Sequence, residues 1–134
     1  MRLTCFKSSQ SRTIPSSLTF NPSFTSFATL SLDRHVRIFS FLSGKKTRQY
    51  DESLQAIQEM QQAGTASYKL DDMEFGRRLA TEKELEKAGV GLGSCQWDES
   101  GGFLLYPTML GIKGASPPSW VSSGSELIGV QIIT

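Results

Sequence analysis

Between Ile14 and Lys45, apolar and polar positions alternate in three short runs separated by turn-forming residues, which predicts three β-strands. In the first, Leu18 and Phe20 alternate with Ser17 and Thr19, and Asn21-Pro22-Ser23 ends the run with turn chemistry. Phe27-Ala28-Thr29-Leu30 forms the second. It is followed by Ser31-Leu32-Asp33-Arg34, where the Asp33 carboxylate can fold back onto nearby backbone N–H groups. The third run, His35 to Phe41, puts Val36 and Ile38 on one side and Arg37 and Phe39 on the other, and stops at Ser43-Gly44.

From Tyr50 the period lengthens towards 3.6. Tyr50, Leu54, Ile57 and Met60 fall on one helical face, with Asp51 as the expected N-cap and Gly64 as the stop. Asp71 with Glu74 resembles a capping box that opens a second helix running to about Ala88, with Gly89 as its C-terminal signal. Its apolar residues Met73, Phe75, Leu79 and Leu85 are spread around the wheel, so the packing face is not defined by pattern. Strand patterning returns after the glycine-rich stretch 89–93. Cys95-Gln96-Trp97 leads into the turn Asp98 to Gly102, then Phe103 to Tyr106, then Met109 to Ile112. Residues 114–134 are rich in Ser, Gly and Pro before a short apolar end, Leu127 to Ile133.

This pattern divides the chain into a disordered N-terminus (1–13), a blade-like strand unit (14–49), a charged helical insertion (50–89), a second, partial strand unit (90–113) and a divergent tail (114–134). Charge follows the division. Residues 1–50 hold eight Lys and Arg against the single acid Asp33, whereas 51–89 hold nine acids against five basic residues, although the formal net charge is only +1. So balanced a total does not point to nucleic acid as a partner. No apolar run approaches the roughly 18 to 20 residues that span a bilayer, and no membrane association is expected. Cys5 and Cys95 are too isolated to suggest a disulfide framework or a zinc site, and a reducing compartment is the default. Residues 1–32 contain no acid and eight serines, the composition of an organelle transit peptide, so an organelle-targeted small protein is kept as an alternative.

Candidate chemistry is sparse. His35, the only histidine, is read as an exposed strand residue, because no positioned partner for a general base is evident from sequence. Asp33 reads as a turn former. The basic residues Arg34, Arg37, Lys45, Lys46 and Arg48 can be imagined on phosphate but fit a solvated rim better. Glu82 to Lys87 reads as an exposed helix face, and Trp97 and Trp120 as core aromatics rather than interface anchors. The G-x-G spacing within 89–93 lies between a helix and a strand, the reverse of the dinucleotide-binding order. Catalytic, cofactor-binding and metal-ligating residues are therefore expected to be none, and no cofactor is expected.

Leu18-Thr19-Phe20-Asn21-Pro22, Phe27 to Ser31, Asp33 and Val36 to Ser40 resemble the WD repeat, with Phe39-Ser40 standing where that pattern has Trp-Asp and no Gly-His pair upstream. Tyr50 to Leu54, Asp72 to Arg78, Glu82 to Lys87, Asp98 to Tyr106 and Thr108 to Lys113 look like the nuclear peptidyl-prolyl isomerases that carry an N-terminal WD-repeat propeller and a C-terminal cyclophilin domain. The resemblance covers about residues 11–113. It implies a mainly β fold with a helical insertion, an incomplete β-propeller of about one and a half blades. It also implies protein partners, spliceosomal or chromatin proteins among them, and a nuclear setting, with an organelle or the cytoplasm as alternatives. That family's isomerase needs an Arg to polarise the prolyl amide and an apolar pocket for the ring; no segment here matches its active-site pattern, so no catalytic residue is carried over. The expectation is thus a non-enzymatic scaffold fragment, with prolyl isomerase function through the parent family as the alternative. Its strands should lack neighbouring sheets, leaving apolar faces and strand edges uncovered.

Overall fold

The computed structural model describes residues 13–66 and 69–115. The proposed disordered N-terminus up to residue 12, Trp120 and the apolar end of the tail lie outside the described residues. Three predicted strands are present as β1 (Pro15–Phe20), β2 (Ser26–Ser31) and β3 (His35–Ser40). A fourth, β4 (Lys46–Asp51), extends them into one antiparallel sheet of order β1-β2-β3-β4. Sequence pattern missed β4 because it is an edge strand whose only large apolar residue is Tyr50, and Tyr50 also suits the helical period of the residues that follow.

The register is set by pairs such as Leu18 opposite Thr29, Thr29 opposite Arg37 and Arg37 opposite Gln49. Pro15, which has no N–H to give to a ladder, sits at the first position of an edge strand. β2 and β3 are buried along almost their whole length, whereas β1 and β4 expose alternate residues.

Helix α1 (Leu54–Gln62) begins two residues later than the sequence suggests. Asp51 ends β4, and Ser53 is the N-cap, its Oγ accepting the Ala56 N–H at 3.3 Å. Helix α2 (Asp72–Ala88) does start after Asp71 and stop at a left-handed Gly89, but no capping box forms. Asp71 makes no side-chain cap bond, and Glu74 turns instead to Arg78, 2.8 Å away on the same helix. A second antiparallel sheet of order β5-β6-β7 comprises β5 (Gln96–Trp97), β6 (Leu104–Thr108) and β7 (Gly111–Ala115). Met109 and Leu110, predicted as strand, make the β6–β7 turn.

The two sheets share one core. Ala28, Leu30, Val36 and Ile38 from the first meet Trp97, Leu104, Tyr106 and Ala115 from the second, with Cys95 among them. Fully burying a side chain such as Leu104 is worth about 1.5–3 kcal/mol. A second cluster, Leu54 and Ile57 of α1, Leu70, Phe75 of α2 and Leu110, seats the helices on the β6–β7 turn. The turns between β1 and β2 and between β5 and β6 are also tied: Asn21 Nδ2 donates to Gly101 O at 3.1 Å. Gly101 has φ 72°, and a Cβ there would lie 2.6 Å from Asn21 Oδ1, so glycine is required on both counts.

This architecture corrects the expected incomplete propeller of one and a half open blades. The described residues form a small antiparallel β domain with two helices, in which each sheet covers an apolar face of the other. The reason is long-range packing: the same alternation that marks a strand does not say what its apolar side will meet.

Candidate functional site

Two polar centres stand out. One is built from the turn between β2 and β3. Asp33 does fold back as expected, its Oδ1 accepting the His35 N–H at 3.2 Å, and it also holds Arg37, whose Nη2 lies 2.7 Å from Oδ2. Arg37 Nη1 donates further to Ser31 Oγ at 3.1 Å. His35 is not a free surface residue: its ring stands between two carboxylates, Nδ1 3.3 Å from Asp33 and Nε2 3.4 Å from Asp51 at the end of β4. Burial pushes the Asp33 carboxyl up, but hydrogen bonds from Arg37 and the His35 backbone, with the charges of Arg37 and His35, outweigh it and leave Asp33 below the usual carboxylate range.

The proposed basic rim separates in the fold. Arg34 and Arg37 are each only 4% exposed, while Lys45 and Lys46 lie out on the exposed β3–β4 hairpin. They make no joint phosphate surface: Arg34 and Arg37 are buried, Arg37 held by Asp33 and Ser31, and the two lysines stand at the opposite end of the β3–β4 pair.

The second centre joins residues far apart in sequence. Glu52, 6% exposed, accepts the Tyr106 hydroxyl at 2.9 Å through Oε1 and the Lys113 ammonium at 2.6 Å through Oε2. Tyr50 stacks on Tyr106 with ring centroids 6.3 Å apart. Burial, the Glu52 charge and the hydrogen bond to it drive the Tyr106 phenol far above its ordinary value, so it acts here as a fixed proton donor to Glu52. Sequence reasoning assigned none of these three residues. A lone Glu after Asp51, a strand Tyr and a strand Lys carry no spacing that marks them as partners.

Cys95 is buried in the core, and burial pushes its thiol up, away from the thiolate a nucleophile needs. Trp97 is core, as expected, and its Nε1 donates to Thr19 O at 3.3 Å. Among the described residues no cluster of three or more His, Cys, Asp or Glu side chains is placed to hold a metal ion. Also among them, no helix is long and apolar enough to cross a membrane.

No protein-family model matches the chain. It is similar to individual proteins. One from Rhizopus delemar named peptidyl-prolyl cis-trans isomerase cyp15 is 57% identical over 104 residues, 76% of this chain and 16% of its own length. A mouse protein named peptidylprolyl isomerase domain and WD repeat-containing protein 1 is 52% identical over 100 residues, covering 74% of this chain and 15% of itself. Arabidopsis thaliana peptidyl-prolyl cis-trans isomerase CYP71 is 42% identical over 103 residues, with 76% and 16% covered. The chain therefore spans no more than about one sixth of the length of these relatives. Their names count against two expectations from sequence, that the chain is a WD-repeat segment lacking the cyclophilin domain and that it is not an enzyme.

Proposed function

We propose that this chain serves peptidyl-prolyl cis-trans isomerisation, as a segment of a longer isomerase. The observation that carries the reading is the 57% identity over 104 residues to a protein named for that activity. The described side chains add no catalytic assignment. Isomerisation asks for a hydrogen-bond donor at the prolyl amide beside an apolar pocket, and the Arg37 guanidinium is already engaged by Asp33 and Ser31. The activity is thus attributed to the protein as a whole, with protein partners and a nuclear setting as further parts of the same proposal. A proline-isomerisation assay on the longer protein and on this chain, side by side, tests it. Cyclosporin-sensitive turnover by the longer protein is expected, and its absence overturns the reading. For the setting, a fluorescent fusion of the longer protein is expected to concentrate in the nucleus; exclusion from it removes that part.

A further inference from the structure

The face of the first sheet turned away from the core ends in aromatic rings. Phe27 and Phe39 alternate with the core residues Ala28 and Ile38, so they project to the other side, and strand register continues their row from Phe20 to Lys46. Phe20 packs its ring against Phe27, Phe24 and Phe41 at centroid distances of 5.7, 6.1 and 5.8 Å, and Phe27 stacks on Phe39 at 5.2 Å. Two turns are tied together here, the Phe41 N–H donating to the Thr25 carbonyl at 3.0 Å. Phe20, Phe41 and Phe24 are nonetheless 42, 47 and 67% exposed, and Leu42 of the β3–β4 hairpin is 96% exposed. These four residues leave on the order of 500 Å² of apolar surface, toward the top of the range for a monomer, where such patches mark binding sites.

Phe24 adds an independent sign. Its φ of 57° is a left-handed conformation that a bulky residue seldom adopts and glycine takes freely. The turn is held by the Phe24 N–H on the Asn21 carbonyl at 2.8 Å, a bond that glycine would make equally well. A strained backbone that exposes its phenyl ring fits a surface kept for contact. Charge narrows what makes that contact. Lys45 and Lys46 stand exposed beside the rings, and the single acid between residues 13 and 50, Asp33, lies at the opposite end of these strands, on Arg37. A second copy would set lysines against lysines. Holding an anionic membrane by charge takes clusters of about four to eight basic residues, and two border these rings.

We propose that this aromatic end docks a separate protein through an extended segment whose bulky apolar run is followed by Asp or Glu. The row from Phe20 to Lys46 crosses three strand spacings, about 14 Å, the length of about four extended residues. The apolar run covers the rings, and the carboxylates meet Lys45 and Lys46. This rests on the protein partners proposed above and not on isomerisation, so failure of the segment to bind leaves turnover by the longer protein untouched.

A terminally blocked peptide, Leu-Phe-Leu-Ser-Glu-Glu-Glu, tests it on the full chain at low salt. The peptide is expected to shift the Phe24, Phe41 and Leu42 side-chain resonances saturably, and the same peptide with lysines for glutamates to bind about tenfold more weakly. Leu42→Ser, at a side chain almost wholly in water, and Phe24→Gly, which suits the turn, should each keep the amide spectrum of the sheet and weaken binding about tenfold. Lys45→Gln with Lys46→Gln should erase the preference for the acidic peptide. The absence of a saturable shift overturns the proposal, and so does equal binding of the two peptides by the unaltered chain. Three other occupants also overturn it. Shifts that grow with protein concentration alone assign the face to a second copy. Binding to phosphatidylserine vesicles that the peptide does not displace assigns it to a membrane, and ring contacts from residues 127–133 in the free protein assign it to the chain itself.

Discussion

The Asp33 centre and the Glu52 centre use the same chemistry, a carboxylate shared between a cation and a neutral donor, yet they differ in reach. Asp33, His35 and Arg37 lie within five residues of one turn, and the second carboxylate, Asp51, comes from the end of β4. Glu52 meets Tyr106 and Lys113 across 54 and 61 residues and links the end of the first sheet to both long strands of the second. The local centre keeps Asp33 in partial contact with water, at 23% exposure against 8% for the Glu52 side chain. Solvent can therefore soften the loss of a partner at Asp33 and has little access to do so at Glu52.

Substitutions should separate the two. Lys113→Met strands the Glu52 charge in the interior and is expected to cost about 3–5 kcal/mol, read by chemical denaturation. A cost below that of Arg37→Met would reverse the ranking. Arg37→Met leaves Asp33 with the His35 ring and backbone and with water, so about 1–3 kcal/mol is expected in the same measurement. Tyr106→Phe removes one of two partners of Glu52 and should cost about 1–2 kcal/mol, with the amides of β7 exchanging faster than those of β2.

The smallest effect is one of pH. The folded Asp33 carboxyl sits below its unfolded value of 3.8, so the unfolded chain takes up its proton first. The stability it contributes is complete above that value and is lost as pH falls below 3.8 through the lower folded value. Asp33→Asn should remove this part of the acid sensitivity, seen as a shallower fall of melting temperature with pH. A parallel fall in both proteins would mean that Asp33 is not the titrating group.

The turn at Asp33, the strands around it and the stop at Gly89 were legible because each depends on neighbours two to four residues away. Asp33 can cap only its own turn, and Gly89 is left-handed because the helix ends there. Strand β4 was not legible, since a polar edge strand lacks the apolar alternation that marks a half-buried one. Nor was the contact of Glu82 with the start of α1. Glu82 and Leu54 lie 28 residues apart, and Glu82 sits in a run of mixed charge that looks like any solvated helix face.

By itself, the sequence determined the local conformations: where strands alternate, where Asp33 and Asn21 turn the chain, and where α2 begins and ends. Only the tertiary structure decided that the two sheets cover each other, that Glu52 binds Tyr106 and Lys113, and that Glu82 reaches the Leu54 N–H. Short-range order follows from backbone sterics and hydrogen bonds within a few residues, whereas these pairings depend on which apolar faces meet in space. Alternation along a strand sets the face and leaves its partner open.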